Sequence, residues 1–316
     1  MWVGFDIGGT KLAIVVGDDD GHIAARRRRP IGAHGDPRED VDAMIADARE
    51  LLAEAGVRED ALRGVGVAVP GPIDPARGTV ESPPNLAGWA SVPIVDWFGE
   101  AFGVPVHLEN DANAAALAEW RFGAGRGARH LIYLTMSTGV GGGLVLDGRL
   151  YRGAGGAGEV GHIPVEWNGE TCGCGLRGCL EAYVGGRCWT QRLQRVTPAD
   201  SRVAVLAGGA AQAKPEHVIA AVREGDAFAR AELDRWNDYL ARGLVGLAFA
   251  FDPDVFVLGT IAAAAGEELC LEPLRRKLAQ NVWPVIGDHI GIRAASLGDE
   301  GPYYAALSAA LEVADR

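Results

Sequence analysis

The chain has 316 residues and a mass of 33.2 kDa, which suits two domains at roughly 100 to 200 residues each. With 42 acidic against 30 basic residues and a net charge of −12, its surface does not broadly attract phosphate backbones or anionic lipid, so neither a nucleic-acid nor a membrane partner is expected. No apolar run approaches the roughly 18 residues that span a bilayer and no signal peptide is recognisable, so the expected location is cytoplasmic. The 5 cysteines are an odd number, and Cys172, Cys174 and Cys179 crowd together, which suits a metal in a reducing compartment better than disulfides.

Residues 2–7 and 12–17 are apolar and β-branched around Gly8-Gly9-Thr10-Lys11 and read as a hairpin, with a third strand near Ile23. From Val41 the apolar positions repeat at three and four until Gly56, which predicts an amphipathic helix. Val65–Val69, stopped by Pro70-Gly71-Pro72, and Val104–Leu108 read as buried strands, giving an α/β domain. An Ala-rich helix follows Asp111, then a strand at His130–Thr135. Asp147-Gly148 within residues 145–150 signals a second hairpin. Residues 195–215 lack periodicity and read as a surface excursion. The longest helical pattern runs from about Ala227 to Phe251, followed by a buried strand at Val255–Leu258. No internal repeat shows in the sequence itself.

Four constellations carry chemistry. In Asp6-Ile-Gly-Gly-Thr-Lys11 the glycines let backbone N–H groups approach a phosphate, to which Thr10 and Lys11 add a hydroxyl and a charge. A β-branched run follows rather than a helix, which excludes the common G-x-x-x-x-G-K-[ST] loop. Glu109-Asn110-Asp111 ends a strand and starts a helix, where a carboxylate can take a proton from an attacking hydroxyl. From this segment alone a helix cap is the simpler reading. Ser137 to Gly143 holds four glycines in seven residues. His162 with Cys172, Cys174 and Cys179 makes a closed tetrahedral donor set for Zn²⁺, while Cys188 and Cys270 lie outside that spacing.

These four segments, in this order, resemble the ROK family of bacterial sugar kinases, with Phe251-Asp252-Pro253 extending the likeness over nearly the whole chain. The resemblance implies an α/β, actin-like (ribonuclease-H-like) ATPase fold of two α/β domains around a cleft. The expected division is a small domain over 1–111, rejoined by a C-terminal helix at about 302–316, and a large domain over 112–301. It further implies an ATP-dependent kinase acting on the 6-hydroxyl of a hexose, glucose first. N-acetylglucosamine, N-acetylmannosamine, mannose, fructose or a cyclitol are the alternatives.

Carried over residue by residue, the resemblance makes Asp111 the general base. It puts Asn85, Asn110, Glu159, His162 and Glu181 on the sugar. Gly8, Gly9, Thr10, Lys11, Thr138, Gly139 and Gly259 would face ATP, with Asp6 near Mg²⁺. His162 would serve zinc with one nitrogen and sugar with the other. A homodimer or homotetramer is implied.

Regulators in the family bind sugar and DNA through a helix-turn-helix ahead of the core. Here the first strand opens at Trp2, and Arg26–Arg29 is the one DNA-like patch, better read as a solvated strand end. The chain also departs from the family. Thr260-Ile261 stands where a glycine triplet is usual, and Tyr303-Tyr304 near the last helix replaces a smaller pair. The expectation is an altered base pocket, narrowed or with a tyrosine stacked on the purine. The plainer alternative is that the tyrosines fill core space.

Overall fold

The computed structural model describes residues 1–31 and 36–314. These cluster into two units: the described residues of Met1–Arg126, Arg152–Gly155 and Ser296–Arg316, and those of Gly127–Tyr151 and Gly156–Ala295.

In the first unit, β1 (Trp2–Ile7), β2 (Lys11–Gly17) and β3 (Ile23–Pro30) form an antiparallel meander. Helix α1 (Pro37–Glu54), β4 (Gly64–Val69), the ribbon β5 (Ile73–Asp74) and β6 (Thr79–Val80), α2 (Ile94–Phe102), β7 (Val106–Asn110) and α3 (Asp111–Phe122) follow. The sheet order is β3-β2-β1-β4-β7, with β4 parallel to both β1 and β7. Helix α1 starts four residues ahead of the apolar repeat. Asp36 accepts the Arg38 N–H at 2.8 Å, and Pro37 occupies a first-turn position where no N–H is needed.

The second unit opens with β8 (Leu131–Met136), β9 (Val140–Leu146) and β10 (Arg149–Leu150), joined at the last hairpin by Asp147 and Gly148, both at positive φ. Helices α4 (Glu181–Val184), α5 (Gly186–Val196), α6 (Arg202–Ala207), α7 (Pro215–Arg223) and α8 (Ala227–Phe251) lead to β11 (Val255–Thr260). Then come α9 (Ile261–Gly266), a π-helical turn at Glu267–Leu271, α10 (Glu272–Asn281), α11 (Pro284–Gly287) and β12 (Gly291–Ala294). The sheet order β10-β9-β8-β11-β12 repeats the connectivity of the first sheet. That internal repeat lives in topology and leaves no trace in residue identity. The excursion expected at 195–215 is instead partly helical. Ser201 caps α6, Gly208 ends it in the left-handed region, and Val203, Ala204 and Ala213 are buried.

Helix α12 (Gly301–Leu311) returns to the first unit; residues 315–316 of the expected helix lie outside the described residues. It lies close against β1 and β4 because Gly4 and Gly66 present no side chains. A Cβ on Gly66 would stand 2.0 Å from the Ala310 nitrogen, and one on Gly4 would stand 2.4 Å from the Ala306 carbonyl carbon. Helix α3 joins it through Ala114, Ala118, Ala305 and Ala309, so the first unit runs on past Asp111. On β3, Arg27 pairs with Asp47, Glu50 and Glu54, and Arg29 with Asp47, all on α1; Arg26 pairs with Glu300. The basic run is thus largely neutralised by its neighbours rather than merely solvated. Among the described residues no helix is long and apolar enough to cross a membrane.

Candidate active site

In the first unit the candidate residues gather at the C-terminal ends of parallel strands. Asn110 ends β7 and caps α3, its side chain accepting the N–H groups of Ala112 at 2.9 Å and Asn113 at 3.3 Å. The cap expected of this segment is therefore present, and it falls on Asn110. It leaves Asp111, the first residue of α3, exposed with one carboxylate oxygen accepting the Ala112 N–H at 2.8 Å. Asp6, near the end of β1, has no side-chain hydrogen bond among the described residues. Burial and the nearby Asp111 charge push its carboxyl up to about 7, against a weaker downward pull from Arg28. A cation bound beside it would favour the ionised carboxylate.

The turn from Gly8 to Lys11 closes with the Gly8 N–H donating to the Lys11 carbonyl at 2.8 Å, and Gly9, Thr10 and Lys11 are exposed. Gly9 abuts Asn85. A Cβ there would meet the Asn85 Cβ at 2.7 Å and its carbonyl oxygen at 2.9 Å, so bare backbone is what lets the turn and Asn85 share one corner.

The second unit gathers the metal set. The ligand atoms of His162, Cys172, Cys174 and Cys179 all lie within 4.8 Å of one another. Cys174 Sγ stands 3.8 Å from Cys179 Sγ, and Cys172 Sγ stands 3.7 Å from His162 Nδ1. A tetrahedral zinc with Zn–S near 2.3 Å and Zn–N near 2.0 Å requires edges of about 3.8 and 3.5 Å, so these donors fit that ion. With Nδ1 turned to the cysteines, His162 Nε2 is left for another partner; Glu159 Oε2 lies 4.0 Å from it. Burial pushes the Cys172 and Cys179 thiols up, whereas the Leu176 N–H draws the exposed Cys174 down.

Glu181 joins this cluster to the Ser137–Gly139 turn. Its Oε1 lies 3.5 Å from Cys172 Sγ, and its Oε2 accepts the Val140 N–H at 2.9 Å. A Cβ on Gly139 would come within 2.3 Å of that same Oε2. The N–H groups of Gly186 and Arg187 fix the turn from behind, donating to the Ser137 and Thr138 carbonyls at 2.8 and 2.9 Å. The remaining glycines of the run, Gly141 to Gly143, belong to strand β9. At Gly142 packing requires the bare backbone, since a Cβ there would stand 2.4 Å from Val160 Cγ2.

Gly259 is buried within β11, its bare face toward the Tyr133 hydroxyl. Thr260, exposed at the end of the strand, adopts φ 49 and ψ −111, a conformation open in practice to glycine alone. β-branched residues avoid positive φ, so Thr260 sits in a strained position. The backbone keeps the conformation and the β-branched side chain bears the strain, its hydroxyl 3.3 Å from that of Thr135. The tyrosines differ from the stacking expectation. Tyr303 is buried with Trp2, Val15 and Leu307 beneath the Arg26 guanidinium, and Tyr304 packs on Phe122 at 5.1 Å between ring centroids. Both fill space beside α12.

Glu109 is named from the sequence only as part of its segment, without a role of its own, and Arg152 not at all. Glu109 is 2% exposed and receives Arg152 through Nε at 2.9 Å and Nη2 at 2.7 Å. A charged residue inside an apolar strand was the available signal for Glu109. Arg152 had none, since its partner is 43 positions away.

The ROK family profile matches residues 2–312. The chain belongs to the ROK family. A glucokinase of Thermotoga maritima is 38% identical over 303 residues, covering 95% of this chain and 94% of its own. A ROK hexokinase from Thermus thermophilus matches with a TM-score of 0.82 at 37% identity, over 99% of each chain. A ROK family glucokinase from Streptomyces griseus, solved in complex with glucose and AMPPNP, matches with a TM-score of 0.77 at 34% identity, over 98% of this chain and 99% of its own. The fold is accordingly the actin-like ATPase fold of ROK kinases, and the repeated sheet order is its signature here.

Proposed function

We propose that this ROK protein transfers the γ-phosphoryl group of ATP to the 6-hydroxyl of glucose. The observation that carries the reading is the β7–α3 junction, where the Asn110 cap leaves Asp111 exposed at a strand C-terminus with its charge felt by Asp6. The names of the relatives, and the glucose and AMPPNP held by the Streptomyces griseus enzyme, support it.

Asp111 accepts the proton of the attacking hydroxyl as that oxygen bonds to the γ-phosphorus. The bond from phosphorus to the β–γ bridging oxygen breaks, and ADP leaves. Phosphoryl transfer needs little covalent help, so the remaining residues act by position and charge. Asn85, Asn110, Glu159, Glu181 and the Nε2 of His162 hold sugar hydroxyls. The turns Gly8–Lys11 and Thr138–Gly139 offer backbone N–H groups, with Lys11 adding a cation, to the phosphates. Asp6 would hold Mg²⁺, and His162, Cys172, Cys174 and Cys179 would hold Zn²⁺. The first ion supplies charge neutralisation on the phosphates when bound, and the second orients His162.

ADP release measured with ATP and a panel of hexoses, amino sugars and cyclitols tests the assignment. The expected result is highest kcat/KM for glucose. Higher kcat/KM for N-acetylmannosamine, mannose or a cyclitol would replace glucose as the acceptor.

A further inference from the structure

Glu109 has no part in the chemistry just described, yet it is the most heavily bonded carboxylate beside it. Its Oε1 accepts the Asn110 backbone N–H at 3.0 Å and the Asn113 Nδ2 at 2.9 Å, so one oxygen grips the chain on both sides of Asp111. Its Oε2 receives both Arg152 donors and faces His107 Nε2 at 3.2 Å. Arg152 is fixed in turn: its Nη2 also reaches Glu312 Oε2 at 2.7 Å, and Arg121 holds the other Glu312 oxygen at 2.8 Å. Burial would raise Glu109, but the His107 and Asn113 hydrogen bonds and the Arg152 charge win and hold it near 2, so it is ionised throughout the working range.

A network this complete at a strand end specifies a position. Asn110 and Asp111 sit on the segment that Glu109 clamps, and an error of about 1 Å in a reacting group costs on the order of 10²-fold in rate. We propose that Glu109 is a positioning residue for the general base, setting Asn110 and Asp111 toward the acceptor hydroxyl, with Arg152 and Glu312 locking Glu109. This rests on reading Asp111 as the base.

The test is kinetic, on the full chain, with folding checked by circular dichroism and melting. Glu109→Gln keeps the shape but removes the charge that receives Arg152. It should lower kcat by about 10- to 100-fold while KM for ATP moves less than about threefold. Arg152→Ala should do the same, and Arg152→Lys should restore part of the loss because it returns the charge without the two-pronged contact. Glu312→Gln, near the end of the chain, gives a milder version should Glu109→Gln not fold.

The deciding measurement adds Glu109→Gln to Asp111→Asn. A residue that acts through Asp111 has little left to lose there, so the double variant should turn over within about threefold of Asp111→Asn alone. Multiplying losses, or wild-type kcat in Glu109→Gln and Arg152→Ala beside an inactive Asp111→Asn, would overturn the positioning role alone. Full turnover in Asp111→Asn would overturn the base assignment, and this role with it.

Discussion

Replacing Asp6 by asparagine should make the metal-free protein more stable and the enzyme nearly inactive. Folding raises this carboxyl from 3.8 to about 7, by burial first and by the Asp111 charge second. The unfolded chain therefore ionises Asp6 more readily than the folded one. The stability tied to its protonated form is fully present below pH 4, is lost progressively as pH rises toward 7, and is gone above that. A shift of about 3 units at 1.36 kcal/mol each amounts to about 4 kcal/mol, and the partial exposure of the side chain reduces this to about 2 to 4 kcal/mol at pH 8. Urea unfolding of both proteins in chelator from pH 4 to pH 8 should give curves that coincide at the acid end and diverge up to about pH 7. Mg²⁺ with a non-hydrolysable ATP analogue should then stabilise the wild type more than the variant. Parallel curves across the whole range would refute the reasoning, because they would mean that Asp6 carries no folding-dependent charge penalty.

Three further outcomes follow from particular contacts. Metal analysis should find close to one zinc per chain, and Cys174→Ser should lower zinc content and melting temperature and raise KM for sugar through His162; a zinc-free preparation with unchanged stability and sugar affinity would contradict this. Gly66→Ala should cost about 3 kcal/mol or more by denaturant unfolding, because its Cβ would enter the Ala310 backbone; a loss below about 1 kcal/mol would show that α12 can shift. Thr260→Gly should gain about 1 kcal/mol by releasing the strained backbone and should change kcat/KM among ATP, GTP and polyphosphate. An unchanged donor profile would confine Thr260 to a structural role.

Most strands and the long helix were legible because a buried parallel strand such as Gly64–Val69 has to be apolar along its whole length, and an amphipathic helix has to repeat at 3.6. The metal cluster was legible for a similar reason, since its ligands sit close in sequence. What stayed hidden depends on distant partners. The packing role of Gly142, which admits Val160, is invisible from its own segment. Arg152 meets Glu109 only in three dimensions, and the ion pairs of Arg27 and Arg29 with α1 become visible only when β3 is placed beside it. The positive φ of Thr260 is likewise set by the strand end and not by its own β-branched type.

The most direct measurement is glucose-dependent ADP release by the wild type and by Asp111→Asn, with the sugar product followed by phosphorus NMR and sugar affinity measured separately. The wild type should form glucose 6-phosphate from ATP. Asp111→Asn should bind glucose within a few-fold of the wild type while kcat falls by on the order of 10² to 10⁴, the share of a general base. A variant that still turned over within about threefold of the wild type, or a wild type that transferred no phosphate to the 6-hydroxyl, would contradict the assignment.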